Sequence, residues 1–230
     1  MYSRNINGEE YDFGVSGKLI RNVLVMYDRQ TDTLWSQLLG EAVQGKLIGT
    51  KLEYLPSFQT TWEEWKSLHP DSLALKKGHY GEKDPYSSYY ENNQGGVIGP
   101  QYIDDRLETK EFVLGVELDK VSVAFPFSQL SLEPVVNYEI GEDNILVVFN
   151  AESALGVAYN PVLDGQKLTF AVADGLTIKD NETGSLWDGI NGLAIEGELA
   201  GKRLERIKST SSFWFGWKDF HEDTLIFSAN

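Results

Sequence analysis

The sequence contains no cysteine among its 230 residues. The chain can therefore form neither a disulfide bond nor a thiolate metal site. Cysteine usage ordinarily indicates the redox compartment of a protein, and here it gives no information about location. From the residues alone, we expect no cofactor in this chain.

Long apolar runs are also lacking. No stretch approaches the roughly 18 uninterrupted apolar residues that a membrane-spanning helix requires, and the first residues, MYSRNINGEEYDFGVSG, have no apolar centre of the kind found in signal peptides. We expect no transmembrane span. The hydrophobic content of 41% predicts a folded chain with a substantial core.

Basic residues are scarce: 20 Lys and Arg stand against 35 Asp and Glu, which gives a formal net charge of −15. Phosphate contacts require Lys or Arg, so nucleic acids and anionic membranes are poor partners. We predict no nucleic-acid partner, and whether the partner is a small ligand or a protein stays open.

Known catalytic signatures are missing as well. The sequence has no H-E-x-x-H, no G-x-S-x-G, no P-loop and no dinucleotide fingerprint. Whether the protein is an enzyme stays open, and the interpretation leans towards a protein without catalytic activity.

A long internal repeat is present instead. Residues 28–75 align without a gap on residues 180–227, and 18 of the 48 aligned positions are identical. Upstream, the match resumes at a different shift and places Tyr2 on Tyr159 and Phe13 on Phe170. The sequence therefore predicts a tandem duplication, with a pseudo-two-fold axis between the copies.

The two predicted copies differ in length. Residues 113–160 indicate several short strands that lead into the second copy, and they have no counterpart before Tyr2. We expect residues 1–75 to be a first repeat without its N-terminal strands, residues 76–112 a tyrosine-rich connecting loop, and residues 113–230 a complete second repeat. The missing strands favour an N-terminal truncation.

Local patterns predict a β-rich α+β fold. Short β-branched and apolar runs such as KLTFAVADGLTIKD are broken by Gly, Asn and Asp, which is typical of short strands joined by turns. TTWEEWKSLHPDSLAL begins with a capping box and places Trp62, Trp65 and His69 at helical spacing before Pro70. Each repeat should thus close with one short helix, followed by a return strand.

Six tryptophans form three repeat-related pairs, and we expect them to pack in the core rather than stack on a ligand. His69 and His221 are candidate metal ligands or acid–base groups, although a histidine at a helix C-terminus more commonly serves the last helical carbonyls. His79 lies in the tyrosine-rich loop. There, Asp84, Tyr86, Tyr89 and Glu91 offer a hard-cation site, against the commoner interpretation of a solvated acidic loop.

The phrases FGVSGKL, MYDRQTDTLWSQLLGEAVQGKLIGTKLE, TTWEEWKSLHPDSLAL, DPYSSYY and DDRLETKEFVLGVE span essentially the whole chain. They resemble the bacterial and archaeal family DUF3179, a domain of unknown function. The resemblance implies further N-terminal strands with a Y-C-P-L-C-G element, whose Cys-x-x-Cys pair is able to bind a metal ion or cycle between redox states. In the second copy, Asn150 and Ser153 stand at the positions of those cysteines.

The resemblance also suggests residues for a site in the first copy and a location in the cell envelope. The candidate ligand-binding residues match the family's phrases and are Ser16, Asp28, Arg29, Thr31, Trp35 and Gln37.

Two hypotheses follow. The preferred one is a non-enzymatic binding or scaffold protein of the cell envelope, with a ligand or partner between the repeats. The alternative is a metal-binding or thiol-redox protein whose Cys-x-x-Cys element lies in the missing N-terminal segment, with a metal ion in the full-length protein and His69 and Gln37 as auxiliary groups.

Overall fold

The computed structural model describes residues 1–75, 86–119 and 121–229. About 41% of it is strand and about 11% helix, which confirms the β-rich prediction. The strands form several small sheets, and nearly all neighbouring strands are antiparallel. Within the described part of the chain, no helix combines the length and the apolar character needed to cross a membrane.

The first part of the chain forms a small hairpin and a four-stranded meander. The hairpin consists of β1 (Asn5–Ile6) and β2 (Glu9–Glu10). The meander pairs its strands in chain order: β3 (Phe13–Ile20), β4 (Val23–Asp28), β5 (Leu34–Ser36) and β6 (Glu41–Gln44). Arg21 and Asn22 both have positive φ, 48° and 64°, so the two-residue β3–β4 turn matches the twist of its strands.

Two short helices follow this meander, namely α1 (Trp62–Leu68) and α2 (Ser87–Glu91). Thr61 is the N-cap of α1, and its hydroxyl accepts a hydrogen bond from the Glu64 backbone N–H at 3.2 Å. The sequence predicts Thr60 or Thr61 as the cap, and Thr61 occupies the position. α2 lies inside the segment that was interpreted as a tyrosine-rich loop.

The C-terminal part begins with long, mostly buried strands. In chain order these elements are β7 (Phe112–Glu117), β8 (Ser122–Pro126), α3 (Phe127–Leu130), β9 (Val135–Ile140), β10 (Asp143–Asn150) and β11 (Leu155–Asn160). β10 separates two hydrophobic clusters. Leu146 and Val148 face one cluster, and Ile145, Val147 and Phe149 face the other. Apolar cover on both sides explains why β10 is a continuous apolar run rather than an alternating one.

A second hairpin, a second meander and the closing elements complete the chain. They are β12 (Val162–Leu163), β13 (Gln166–Lys167), β14 (Phe170–Asp174), β15 (Thr177–Asp180), β16 (Leu186–Asp188), β17 (Leu193–Glu196), β18 (Glu205–Arg206), β19 (Ser209–Phe213), α4 (Trp214–Phe220) and β20 (Leu225–Ile226). The meander runs β14-β15-β16-β17, and the two remaining sheets have the orders β18-β11-β10-β9 and β19-β7-β8-β20. β20 lies parallel to β8.

Each meander contains a fully buried aspartate. Asp28 accepts hydrogen bonds from the Thr31 backbone N–H at 2.6 Å and from Trp35 Nε1 at 2.9 Å. Asp180 accepts the corresponding bonds from Thr183 and Trp187 at the same two distances. A buried carboxylate needs such partners to offset its desolvation, so the D-x-x-T-x-x-x-W spacing determines the strand-to-strand corner.

The tryptophan prediction is partly wrong. Trp35, Trp187, Trp214 and Trp217 are buried in the core, as expected. Trp62 and Trp65, however, are 52% and 37% exposed. The difference lies in packing: α4 packs on β7 and β8, whereas the hydrophobic clusters of the described residues include no side chain of α1. The predicted return strand over residues 72–75 is also not formed. The aligned segment of the second copy contains β20, which is paired with β8.

We predict that Asp180→Asn lowers the free energy of unfolding by about 1–3 kcal/mol at neutral pH, because the new amide places a donor against a buried donor. Burial acts to raise the pKa of Asp180, but hydrogen bonds from Trp187 and Thr183 outweigh it and lower that pKa. A lowered pKa contributes stability above the unfolded-state value of 3.8, and this contribution disappears as the pH falls through the folded-state pKa. Urea unfolding at several pH values should therefore show the deficit narrowing below pH 3.8.

Asp174→Asn is the matched control, because Asp174 is exposed on the same sheet. It should change stability by less than about 0.5 kcal/mol. Equal stability of Asp180→Asn and Asp174→Asn at neutral pH would contradict the assigned role of the buried carboxylate.

We also predict that Gly115→Ala destabilises the fold by about 1–3 kcal/mol or more. A Cβ at residue 115 would lie 2.3 Å from two ring carbons of Trp217, which is buried and cannot move away. In Gly156→Ala, the new Cβ meets the flexible end of Leu114 at 3.3 Å, so the cost should be clearly smaller. Chemical denaturation of the two variants measures the difference, and equal costs would refute the tight contact.

Candidate functional site

A cleft of about 540 Å³ lies between the first meander and the C-terminal part of the chain. Its floor is apolar and comes from the first meander and the chain after it, with Phe13, Met26, Leu38 and Leu52. Phe58 adds an aromatic ring from the segment that leads to α1. Apolar clefts of this size with a few polar groups are the usual form of ligand sites.

The opposite wall is polar. β19 contributes Ser209, Thr210, Ser211 and Ser212, and the Ser212 hydroxyl is buried without a hydrogen-bond partner among the described residues. A buried hydroxyl without a partner is unfavourable by roughly 1–3 kcal/mol.

Two tyrosines of the cleft lining donate hydrogen bonds to backbone carbonyls. The Tyr2 hydroxyl donates a hydrogen bond to the Leu38 carbonyl at 2.9 Å, and the Tyr54 hydroxyl donates to the Ser209 carbonyl at 3.1 Å. Burial, with further contributions from Tyr54 and Glu117, raises the pKa of Tyr2 to about 12. Tyr2 is therefore a neutral donor at physiological pH, and the Tyr54 bond ties the first meander to β19.

Among the described residues that line the cleft, Arg4 is the one arginine. It forms ion pairs with Glu10 and with Asp12, the latter at 2.8 Å. Because carboxylates already compensate its charge, the guanidinium does not make the cleft strongly cationic. The cleft is thus suited to a mostly apolar ligand with hydrogen-bonding groups rather than to an anion.

The structure brings together three of the six residues that the sequence suggested for a ligand site. Asp28, Thr31 and Trp35 form one hydrogen-bonded group, in which Thr31 Oγ1 donates to Asp28 Oδ1 at 2.9 Å. Asp28 and Trp35 are fully buried. This group supports the meander from within and does not line the cleft.

The other three residues lie apart from one another. The Ser16 hydroxyl donates to the Val25 carbonyl at 2.6 Å across the β3–β4 pair. The Arg29 guanidinium lies 5.5 Å from the centre of the Tyr27 ring on the exposed end of β4. Gln37 is exposed and lines the cleft, so it is the one residue of the six that a cleft ligand could contact.

His69 and His221 occupy corresponding positions as the C-caps of α1 and α4. Their rings lie against Trp65 and Trp217, with centroid distances of 4.3 Å and 3.8 Å. Burial lowers the pKa of His221, and its Nε2 is buried without a partner. Within the described ranges, no three His, Asp or Glu residues are grouped to hold a metal ion. His79 and Asp84 lie outside the described residues, and Tyr86, Tyr89 and Glu91 belong to α2 or its N-cap.

Sequence reasoning missed the apolar floor of the cleft. The available signal was the repeat itself, since Met26, Leu38 and Leu52 align on Ile178, Ile190 and Leu204. Those three residues of the second meander are buried in a hydrophobic cluster with β10 and β11. The alignment shows which side chains are apolar, but it does not show that Leu38 and Leu52 are buried while Met26 is partly exposed.

Comparison with known proteins gives one match. The family described as "Protein of unknown function (DUF3179)" matches residues 1–224 of the chain. No match was found among curated proteins or among solved structures. The extent of the family match, nearly the full chain, shows that this chain belongs to the DUF3179 family.

Proposed function

We propose that this DUF3179 protein is a non-enzymatic binding or scaffold protein, and that the cleft holds the apolar part of its ligand. The observation that carries the proposal is a cleft of about 540 Å³ in which Phe13, Met26 and Phe58 are partly exposed. Covering such apolar side chains with another apolar surface is favourable by about 25 cal/mol per Å².

The second meander supports an apolar occupant. There, Ile178, Ile190 and Leu204 are covered by side chains of β10 and β11, including Leu146 and Val157. Of the aligned residues in the first copy, Leu38 and Leu52 are likewise buried, whereas Met26 is partly exposed and lines the cleft. An occupant of the cleft would contact Met26 as strand side chains contact Ile178 in the second meander.

Polar groups at the walls would orient that occupant. Gln37 offers an amide with both donor and acceptor atoms, and Thr210 and Ser211 of β19 offer hydroxyl groups. In the second copy, Gly189 stands where Gln37 stands in the first, and a Cβ there would lie 2.6 Å from the Leu176 carbonyl oxygen and 3.0 Å from Val148. Only the first copy therefore has an amide side chain at this position.

The architecture of two tandem repeats is part of the proposal, with a first repeat over residues 1–75, a connecting segment over 76–112 and a second repeat over 113–230. A pseudo-two-fold axis would relate the repeats. Support comes from 18 identical positions among 48 and from the shared strand order of the two meanders. The matching hydrogen bonds of Asp28 and Asp180 add to it. In this arrangement the second repeat serves as the scaffold for the first.

A location in the cell envelope is proposed from the family resemblance, and fractionation of cells with detection of the native protein tests it. Recovery in the cytosolic fraction alone would contradict this part of the proposal. The binding function does not depend on the location.

We predict that the neutral dye Nile red binds the cleft and that Gln37→Trp weakens binding by about tenfold or more, because the larger side chain occupies the cleft. Gln37 is exposed, so the substitution should not affect folding. Fluorescence titration of the intact chain measures the affinity.

Gln44→Trp is the matched control, because Gln44 is an exposed glutamine of the same meander that does not line the cleft. It should bind the dye as the unmodified protein does. Equal weakening by both substitutions, or no saturable binding at all, would overturn the proposed site.

A further inference from the structure

In the C-terminal part, α4 and its flanking strands enclose a strand pair. The sheet order β19-β7-β8-β20 places β7 and β8 between the strand before α4 and the strand after it. Trp214 and Trp217 of α4 are 1% and 2% exposed, and they pack on Val113 of β7 and Ala124 of β8. The helix α4 thus packs on β7 and β8, which lie between its two flanking strands, β19 and β20.

Gly115 permits this close packing. It lies in β7 opposite Trp217, and a Cβ there would meet the six-membered ring of the indole at 2.3 Å. Any strand pair that docks in this geometry therefore needs a glycine at that point.

α1 has the same internal construction as α4. Trp65 Nε1 donates to the Ser72 hydroxyl at 2.9 Å, as Trp217 Nε1 donates to the Thr224 hydroxyl at 2.9 Å. The C-cap His69 has φ −133° and ψ 73°, close to −129° and 72° for His221. The Trp65 indole is therefore already held in the orientation that Trp217 has when it is packed on β7.

The described residues provide α1 with no strand pair comparable to β7 and β8. Trp62, Trp65, Leu73 and Leu75, which we call the α1 face, are 52%, 37%, 95% and 84% exposed. Their counterparts Trp214, Trp217 and Phe227 are buried, and Leu225 pairs with β8 within β20. Residues 57–60 and 72–75, which align on β19 and on the segment containing β20, belong to no strand.

We propose that the α1 face is a docking site for an antiparallel strand pair from polypeptide outside these 230 residues. The pair inserts between residues 57–60 and 72–75, as β7 and β8 insert between β19 and β20. Main-chain hydrogen bonds to both flanking segments supply pairing, and a glycine opposite Trp65 supplies the fit. This inference goes beyond the proposed cleft ligand and rests on the α1 face alone.

The charge and pairing of the chain disfavour other occupants. Glu63 and Glu64 lie beside Trp62 on α1, and the net charge of −15 opposes an anionic lipid surface. A second copy of the chain has its own β7 and β8 already paired at both edges. A strand pair with two free edges would pair with residues 57–60 and 72–75 and would also cover the exposed indoles of Trp62 and Trp65.

The test uses the chain's own hairpin sequence, residues 111–127, as a fluorescein-labelled synthetic peptide with solubilising lysines added at its ends. Fluorescence anisotropy with the intact protein should show saturable binding. Trp65→Glu should weaken binding by about tenfold or more, because it removes a central aromatic contact. Ile195→Glu is the matched control: Ile195 is 53% exposed on β17, away from the α1 face, and its substitution should leave binding unchanged.

A second peptide with Gly115→Leu tests the geometry. It should bind about tenfold or more weakly, since its side chain would occupy the space of the Trp65 ring. Trp62→Glu is a second protein variant in case Trp65→Glu does not fold, which circular dichroism will show. Nile red titration of Trp62→Glu separates the two proposals, because Trp62 does not line the cleft, whereas Trp65 lies against the cleft residue Phe58.

Three results would overturn the inference. They are absence of saturable binding, equal binding of the Gly115→Leu peptide, and binding that Trp65→Glu and Trp62→Glu leave unchanged. A dimer in sedimentation experiments that Trp65→Glu dissociates would assign the face to a second copy instead, and co-sedimentation with neutral phosphatidylcholine vesicles would assign it to lipid.

Discussion

The packing of Trp217 on Gly115 determines how the C-terminal part of the chain is assembled. With no side chain on Gly115, the indole lies directly on β7, and a single Cβ there would approach the ring to 2.3 Å. The same indole donates to Thr224 and stacks on His221, which fixes the turn between α4 and β20. β20 then pairs with β8. One close contact thus orients the helix and, through the turn that follows, an edge strand of the sheet.

The meanders depend on a different constraint, the burial of a carboxylate. Asp28 and Asp180 have no exposed surface, so their oxygens must be satisfied inside the protein. The tryptophan that donates to each aspartate also packs edge-on against a phenylalanine of the first meander strand, with 5.6 Å between ring centroids in both cases. Each tryptophan therefore makes both a buried hydrogen bond and an aromatic contact. Together these two interactions define the geometry of a small sheet with short strands.

The sequence predicts much of this fold because its strongest signals are local. The turn residues and the helix cap act within a few residues, and Thr61, one of the two threonines predicted for the cap, occupies that position. The D-x-x-T-x-x-x-W spacing is also local, but Asp28, Thr31 and Trp35 were interpreted as ligand-site candidates and instead form a supporting hydrogen-bonded group. Burial by strands that are distant in the sequence is not a local property, and local signals do not reveal it. Trp62 and Trp65 were therefore predicted to be buried, but they are exposed. For the same reason the cleft floor escaped prediction. Of the six suggested site residues only Gln37 lines the cleft, because a match to a family phrase does not distinguish a supporting residue from an exposed one.

The cleft and the α1 face are physically connected through Phe58. This ring lines the cleft, lies 6.2 Å from the Trp65 ring and is 5.5 Å from the Arg206 guanidinium. Residues 57–60 belong to no strand, so Phe58 is positioned by side-chain packing and not by a strand ladder. A strand paired along residues 57–60 would fix the backbone of Phe58 and with it one wall of the cleft. Because linkage is reciprocal, a cleft ligand that packed on Phe58 would favour strand docking to the same extent.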